Sequence, residues 1–484
     1  NFIFYFSFIT KEFSCLLYLY YFIGHFALLN GVCVELLTMV ETPVMSSRGG
    51  LPFNMLPLSP PGLESLYLAT RRIYPDQPNP LQVAAVVKYW LGGPDPLDYI
   101  SMYSNPGNPQ LGIPPHWHYI SFGLSDLHGD GRVHERGNQE GPSGFGFELT
   151  FRLKRDAGET SPPTWPANLL QSLAKYVFNS GNTFCAGDHV SWHAALDGSE
   201  SIIQHMLLTS DAQLQTISTP CGTVDFVQVV GVCKEELQAV QRWKGVGVLN
   251  ILKNIPRMGG GGPWLVTDMR RGESMVELEP NAVQIIEAGI DADGSNLSGV
   301  TGNCSWAEAT NGACGGSLIE DESLKVSCED KSPIYSHSRG TFGLGDSLES
   351  TELLQAKVLE GVQLTFNAES GSLLPLVIRG RIKHGRHFTF KSATSPSVIT
   401  FVAESVTGTF VDPEKPYVAH GPWLQVLIKE EDVDKFLDEL QCLTGSPETI
   451  CQPKTFCWDR QNLSITVVPD SITALKPPMF NVDS

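Results

Sequence analysis

Between residues 145 and 154, Phe145, Phe147, Leu149, Phe151 and Leu153 alternate with Gly146, Glu148, Thr150, Arg152 and Lys154. A period of two puts successive side chains on opposite faces, so the segment predicts a strand with one face on a core and the other in water. After Trp165-Pro166 the period changes. Leu169, Leu170, Leu173 and Val177 then share one helical face, and Gly181 suits the left-handed turn that closes a helix. Upstream, Leu63, Leu66, Tyr67 and Ile73 predict a helix over 62–73. Asn79-Pro80 has the form of an N-cap and first-turn proline, and predicts a second helix over 81–90 that Gly92 and Pro96 stop. Residues 116–122, 202–208 and 224–232 read as strands, and 235–243 and 246–255 as helices. Val433, Phe436, Leu437 and Leu440 form an i, i+3, i+4, i+7 stripe, an amphipathic helix expected to pack on a C-terminal sheet. This irregular interleaving predicts an α+β chain with mixed sheets, not a doubly wound one.

A chain of 484 residues exceeds what one core supports, so two or three domains are expected. We expect a flexible lead-in over 46–62, which is rich in Ser, Gly and Pro, an N-terminal domain over 60–290 and a C-terminal domain over 291–484. Gly259-Gly260-Gly261-Gly262 reads as a linker between the halves. Gly262-Pro263-Trp264-Leu265 recurs as Gly421-Pro422-Trp423-Leu424, which hints that both domains end on a similar strand. Residues 307–350 turn to Gly, Ser, Asp and Glu with few large apolar side chains, and such an insert is expected to be disordered. The apolar run 16–29 is too short for a membrane span, Lys11-Glu12 precedes it, and the first methionine is Met39. Residues 1–38 are therefore expected to be upstream reading-frame sequence, with translation starting at Met39 or Met45; a targeting segment is the alternative.

The net charge of −19 repels phosphate backbones, and the basic residues cluster only at Arg270-Arg271 and over 379–387. A basic protein partner fits better than nucleic acid. The eleven cysteines show no C-x-x-C pattern, which points to reduced thiols and away from a disulfide framework. No G-x-S-x-G elbow occurs, and Gly259 to Gly262 lacks the Lys-Ser or Lys-Thr of a phosphate loop. The metal candidate is Cys185, His189 and His193, whose i, i+4, i+8 spacing would stack them on a helix as zinc ligands of a hydrolase. Ala186-Gly187-Asp188 is turn chemistry that opposes such a helix. His116 and His118 share one strand face, and with His384 and His387 they read as satisfied core or surface imidazoles.

Several longer stretches carry a specific resemblance: Tyr89-Trp90-Leu91-Gly92-Gly93-Pro94-Asp95-Pro96, Pro115-His116-Trp117-His118-Tyr119, Gly141-Pro142-Ser143-Gly144-Phe145-Gly146-Phe147, Asp293-Gly294-Ser295-Asn296-Leu297-Ser298-Gly299 and His384-Gly385-Arg386-His387-Phe388. From about Pro60 to the end, apart from 305–350, the chain resembles the Suppressor of fused family. The resemblance implies a non-enzymatic cytoplasmic protein with a nuclear pool, which holds GLI/Ci-type zinc-finger transcription factors inactive in Hedgehog signalling as a corepressor. It implies two lobes clamping a Ser-Tyr-Gly-His-Leu-like segment in a cleft, without cofactor, membrane or direct nucleic-acid binding. By matched context Tyr176, Phe184 and Asp188 would line the N-terminal wall, Asp188 as a buried acid reading the ligand histidine. Val300 and Gly302 would pair with the ligand backbone and Leu373 would give an apolar contact. Asp188 read alone is an Asx-turn residue, and Tyr176 a core aromatic. Ser347, in Asp346-Ser347-Leu348-Glu349-Ser350, matches a kinase site of the family without its preceding basic residues. A scaffold that recruits kinases and other pathway proteins through the insert is the alternative reading.

Overall fold

The computed structural model describes residues 59–137, 140–255, 262–309, 356–444 and 452–469. The expectations for residues 1–58, for Ser347 and for most of the insert lie outside them. The contacts divide the chain into two units, Asn1–Glu287 and Ala288–Ser484.

The first unit carries, among the described residues, an eight-stranded mixed sheet in the order β1-β2-β3-β4-β8-β6-β5, with β7 beside β8. Its strands are β1 (Leu81–Ala84), β2 (Tyr99–Asn105), β3 (His116–Phe122), β4 (Pro142–Lys154), β5 (His189–Val190), β6 (His205–Ser210), β7 (Ile217–Thr219) and β8 (Gly222–Val232). Only the β4–β8 pair is parallel. The helix Trp165–Ser180 closes at Gly181 in the left-handed region, as its sequence predicts. It packs Leu169, Leu170, Leu173 and Val177 on one face of the sheet, against Tyr119, Leu149 and Phe151. Each such leucine contributes about 1.5–3 kcal/mol through removal from water. The helix Pro61–Ile73 covers part of the opposite face with Leu66 and Ala69, against Ile120, Phe122 and Phe226.

Two expectations fail here for tertiary reasons. Residues 81–84 form strand β1, and only Tyr89–Leu91 makes a helical turn. The N-cap signal at Asn79-Pro80 yields to pairing with β2, reinforced by Gln82, whose amide donates to the Tyr67 and Ser101 hydroxyls. Strand β4 keeps its alternation, but Glu148, Thr150 and Arg152 are fully buried, so its polar face is not wet. Burial is tolerated because each polar group finds partners. Arg152 donates to Asp211, Gln213, Gln228 and His116 Nε2. Thr150, the amides of Gln213 and Leu214, and His118 Nε2 also bond Asp211, while the Tyr74 hydroxyl donates to His118 Nδ1. Glu148 accepts from the Ser121 and Ser125 hydroxyls and from backbone amides.

Burial and the Arg152 charge lower the His116 pKa to about 3 and the His118 pKa to about 4. The Arg152 charge and the hydrogen bonds from His118 and the Leu214 amide hold Asp211 well below the usual carboxylate range despite its burial. Although His118 sits 3.1 Å from Asp211, it stays neutral, because burial disfavours its charged form and Arg152 already matches that carboxylate. These are satisfied core histidines, as their sequence context suggested.

The second unit holds two sheets among the described residues. One is ordered β11-β15-β16-β14-β13-β9 and the other β10-β12-β18-β17. The strands are β9 (Gly299–Gly302), β10 (Cys304–Glu308), β11 (Ala356–Val358), β12 (Val362–Asn367), β13 (His387–Ser392), β14 (Val398–Ala403), β15 (Tyr417–His420), β16 (Trp423–Ile428), β17 (Lys454–Trp458) and β18 (Leu463–Val468). One core takes residues from both sheets, with Phe366 of β12 at 4.8 Å from Phe390 of β13, centroid to centroid. The predicted helix appears as Val433–Leu440, and its Phe436 stacks on Trp458 of β17 at 4.2 Å.

Three readings of the sequence are corrected. The unit division falls between Glu287 and Ala288, so the glycine run is no linker between halves; Gly262 sits in a helical turn, Gly262–Trp264, inside the first unit. The repeated Gly-Pro-Trp-Leu words differ in structure, a helical turn in one copy and strand β16 in the other. Ala307 and Glu308, at the start of the stretch expected to be disordered, belong to β10, paired with Gln363 and Val362.

Candidate functional site

Tyr176 and Phe184 meet in the first unit, and Asp188 lies on the turn that follows Phe184. Tyr176 lies on the last turns of the helix Trp165–Ser180, half-buried, and its ring stacks on Phe184 at 5.6 Å. Asn182 donates to the Tyr176 hydroxyl at 3.0 Å, which fixes the tip of the ring. Phe184 also packs edge-on against Phe147 of β4. Both aromatics lean on the core of this unit while keeping part of each ring exposed, so the core and ligand roles are compatible.

Asp188 departs from its expectation. It is exposed, not buried. Its Oδ2 accepts from the Cys185 amide at 2.7 Å and its own amide donates to the Cys185 carbonyl, so Asp188 is a turn residue whose side chain reaches back to Cys185, not forward as in an Asx-turn. A carboxylate whose turn needs only one oxygen still presents the other to a ligand. The turn itself is rigid. Gly187 has φ +98° and donates to the Leu208 carbonyl of β6, whose amide in turn donates to the Asp188 carbonyl. A Cβ on Gly245, at the start of the helix Gly245–Asn254, would stand 1.9 Å from the Gly187 carbonyl oxygen, so these backbones approach as only glycine permits.

In the second unit β9 lies at the edge of its sheet, parallel to β13, with Gly299 opposite Thr389 and Gly302 opposite Ser392. The amides of Thr389 and Ala393 donate to the carbonyls of Ser298 and Gly302. In a parallel ladder alternate residues face the partner, so Ser298, Val300 and Gly302 bond to β13 while the N–H and C=O of Gly299 and Thr301 point to the open side. Among the described residues no strand pairs with that side. Val300 and Leu373 are half-buried and pack on the core of the unit, leaving part of each side chain accessible. Gly302 packs against Ser370, and a Cβ there would lie 2.2 Å from the Ser370 Oγ, so a larger residue would make that hydroxyl turn away. Ser370 also accepts the Leu373 amide through its carbonyl, so Gly302 and Leu373 share one neighbour. The sequence alone missed Ser370 and Asn182, whose value lies wholly in tertiary contact.

The metal candidate loses its geometric basis. Residues 185–188 form a turn and His189 starts the two-residue strand β5, so no helix stacks Cys185, His189 and His193. His193 instead sits edge to face with His205, in the left-handed backbone region at φ +61°. Burial first, and then the adjacent His193, lowers the His205 pKa to about 4. Among the described residues no group of three potential ligands converges on a metal position. No helix among them is long and apolar enough to cross a membrane.

Comparison with known proteins agrees with this architecture. One family model, described as Suppressor of fused protein, matches residues 93–272. A second, described as Suppressor of Fused Gli/Ci N terminal binding domain, matches residues 284–467 and so contains β9, Gly302 and Leu373. The chain is 52% identical over 450 residues to the Suppressor of fused homolog of Homo sapiens, covering 85% of this chain and 92% of that protein. The homolog of Mus musculus matches with the same identity and coverage. Among solved structures, the crystal structure of Drosophila Suppressor of Fused aligns with a TM-score of 0.68 at 37% identity, covering 85% of this chain and 97% of that one. The mixed-sheet fold, the two family models and this degree of identity place the chain in the Suppressor of fused family, non-enzymatic negative regulators of Hedgehog signalling.

Proposed function

We propose that this chain captures a GLI/Ci-type zinc-finger transcription factor by taking a Ser-Tyr-Gly-His-Leu-like segment as an added strand on β9. The observation that carries this reading is the open edge of β9, which lies inside the stretch matched by the Gli/Ci binding-domain model. Strand addition draws affinity from main-chain hydrogen bonds and specificity from side-chain pockets, and it requires no catalytic group. The unsatisfied N–H and C=O of Gly299 and Thr301 supply the main-chain partners. Leu373 and Val300 offer apolar contact from the second unit. Tyr176, Phe184 and Asp188 are the first unit's contribution. The exposed carboxylate of Asp188 accepts from the ligand imidazole and favours its charged form.

Inactivation then follows from occlusion of the factor and its retention in the cytoplasm, with a nuclear pool acting as corepressor. Pathway kinases are further partners under this reading. The net charge of −19 favours a basic protein partner over direct contact with DNA.

The test is a titration of the full chain with a Ser-Tyr-Gly-His-Leu peptide, alongside a Thr301→Pro variant. Proline at 301 removes an edge donor and places its ring on the open side, so binding should fall to the level of a scrambled peptide. Equal affinity for wild type and variant removes strand addition on β9.

A further inference from the structure

Two motifs of the sequence, Asp293-Gly294-Ser295-Asn296-Leu297-Ser298 and His384-Gly385-Arg386-His387, have no part in the ligand contacts described above. The structure joins them. Arg386 donates from Nη2 to the Asp293 carbonyl at 3.1 Å and from Nη1 to the Ser295 carbonyl at 3.0 Å. Arg381 donates from Nη1 to the same Ser295 carbonyl at 2.9 Å, and from Nε to the His387 carbonyl at 2.9 Å. The Ser295 amide completes the attachment by donating to the Gly380 carbonyl at 2.7 Å. Ser295 is fully buried, and Arg381 is 9% exposed.

These bonds bear on β9 directly. Ser295 stands four residues ahead of Gly299, the first residue of β9, and His387 is the first residue of β13, the strand that β9 lies against. A single guanidinium, that of Arg381, therefore ties the lead-in of β9 to the start of its neighbour. It acts across the place where the register of the parallel pair is set, Gly299 opposite Thr389. The lead-in admits no alternative backbone cheaply. Gly294 has φ +80°, and a Cβ there would lie 2.8 Å from the Gly380 carbonyl and 3.1 Å from Arg386 Nη1. A four-residue strand bonded on one side has little holding power of its own, so its orientation depends on what fixes its entry.

We infer that Arg381 and Arg386 are positioning residues for partner capture, a two-arginine clasp that holds the lead-in of β9 so that its open edge is pre-aligned for an incoming strand. The inference rests on the proposed function, since β9 is the strand offered there to the partner. Neither arginine touches the ligand. The clasp acts by removing the ordering cost that a loose edge would impose on binding. Planar guanidinium forks suit this task, because each reaches two carbonyls at fixed spacing and an ammonium does not.

The experiment pairs two readouts on the full chain, hydrogen exchange at Val300 and Gly302 and titration with a Ser-Tyr-Gly-His-Leu peptide. Variants are Arg386→Ala and Arg386→Lys, chosen because Arg386 is only half-buried, so the unit keeps its core; Arg381→Lys is a third. Loss of bonds from a charged donor predicts faster exchange at both amides and affinity weakened on the order of tenfold for Arg386→Ala. Arg386→Lys should rescue little, while the thermal midpoint barely moves. A clasp with no role in capture would leave affinity within twofold for all three variants, and that result overturns the inference. If wild type itself fails to bind the peptide, the proposed function falls. In that case unchanged exchange in the variants separately removes the clasp.

Discussion

At the scale of single residues, Asp188 is held in its turn through one carboxylate oxygen while the side chain stays exposed, and the proposed partner role is testable there. Its Oδ2 is committed to the Cys185 amide, and the glycine approach at Gly187 and Gly245 fixes the turn that carries it. Asp188→Asn keeps an oxygen for the turn and removes the charge. Stability should be unchanged by denaturant unfolding, while affinity for a histidine-containing peptide drops about tenfold, the value of one charge-assisted hydrogen bond. Because the ligand imidazole is charged below about pH 6.5, wild-type binding should tighten as pH falls towards 6, and Asp188→Asn should lose that slope.

Stability itself should move the opposite way with pH. His116 and His118 have folded pKa values of about 3 and 4, below that of an unfolded histidine, so unfolding takes up protons between pH 6.5 and 4. Their contribution is complete above pH 6.5 and is lost as pH falls through that window. The depressed Asp211 adds a loss at still lower pH, as it is protonated. Thermal midpoints measured from pH 7 to 4 should fall steeply, and less steeply in His118→Gln. Asp211→Asn leaves Arg152 buried without its counter-charge, and urea unfolding should show about 3–5 kcal/mol of lost stability.

Among elements, β9 makes the sharpest prediction because neighbouring residues face opposite sides. Val300→Pro removes a donor to β13 and should cost at least about 1 kcal/mol of stability. Thr301→Pro removes a donor only from the open edge, so its thermal midpoint should stay near wild type while peptide binding is lost. If both variants lower stability equally, the alternation assigned to β9 is wrong.

Elements with strong internal periodicity were legible in the sequence. The helix Trp165–Ser180, closed by Gly181, and the strand Pro142–Lys154 follow from local pattern. Strand β1 did not, because the Asn79-Pro80 signal is local whereas the bonds of Gln82 to Tyr67 and Ser101 are distant in sequence. The polar face of β4 was misread for a similar reason. Glu148 and Arg152 look solvated until the partners contributed by β3, β8 and the residues around Asp211 are known. Of the site, the aromatic pair Tyr176 and Phe184 and the strand Gly299–Gly302 could be placed by motif resemblance, and geometry then brings the pair into contact. The exposure of Asp188 and the Ser370 contact of Gly302 could not, since both depend on how separate segments approach.

For the molecule as a whole, the chain combines two units of different design. The first covers a mixed sheet with helices on both faces and seals a polar network inside it; the second packs two sheets around an aromatic core. The strongly shifted groups of that network, His116, His118 and Asp211, are all enclosed by protein. Strand β9 is instead short and at a sheet edge.

The most direct test of capture by strand addition is an isotope-edited measurement of the bound Ser-Tyr-Gly-His-Leu peptide, looking for cross-strand contacts between its backbone and Gly299 and Thr301. Contacts to both residues, absent in Thr301→Pro, are the predicted result. A bound peptide that shows no contact with either residue contradicts the account.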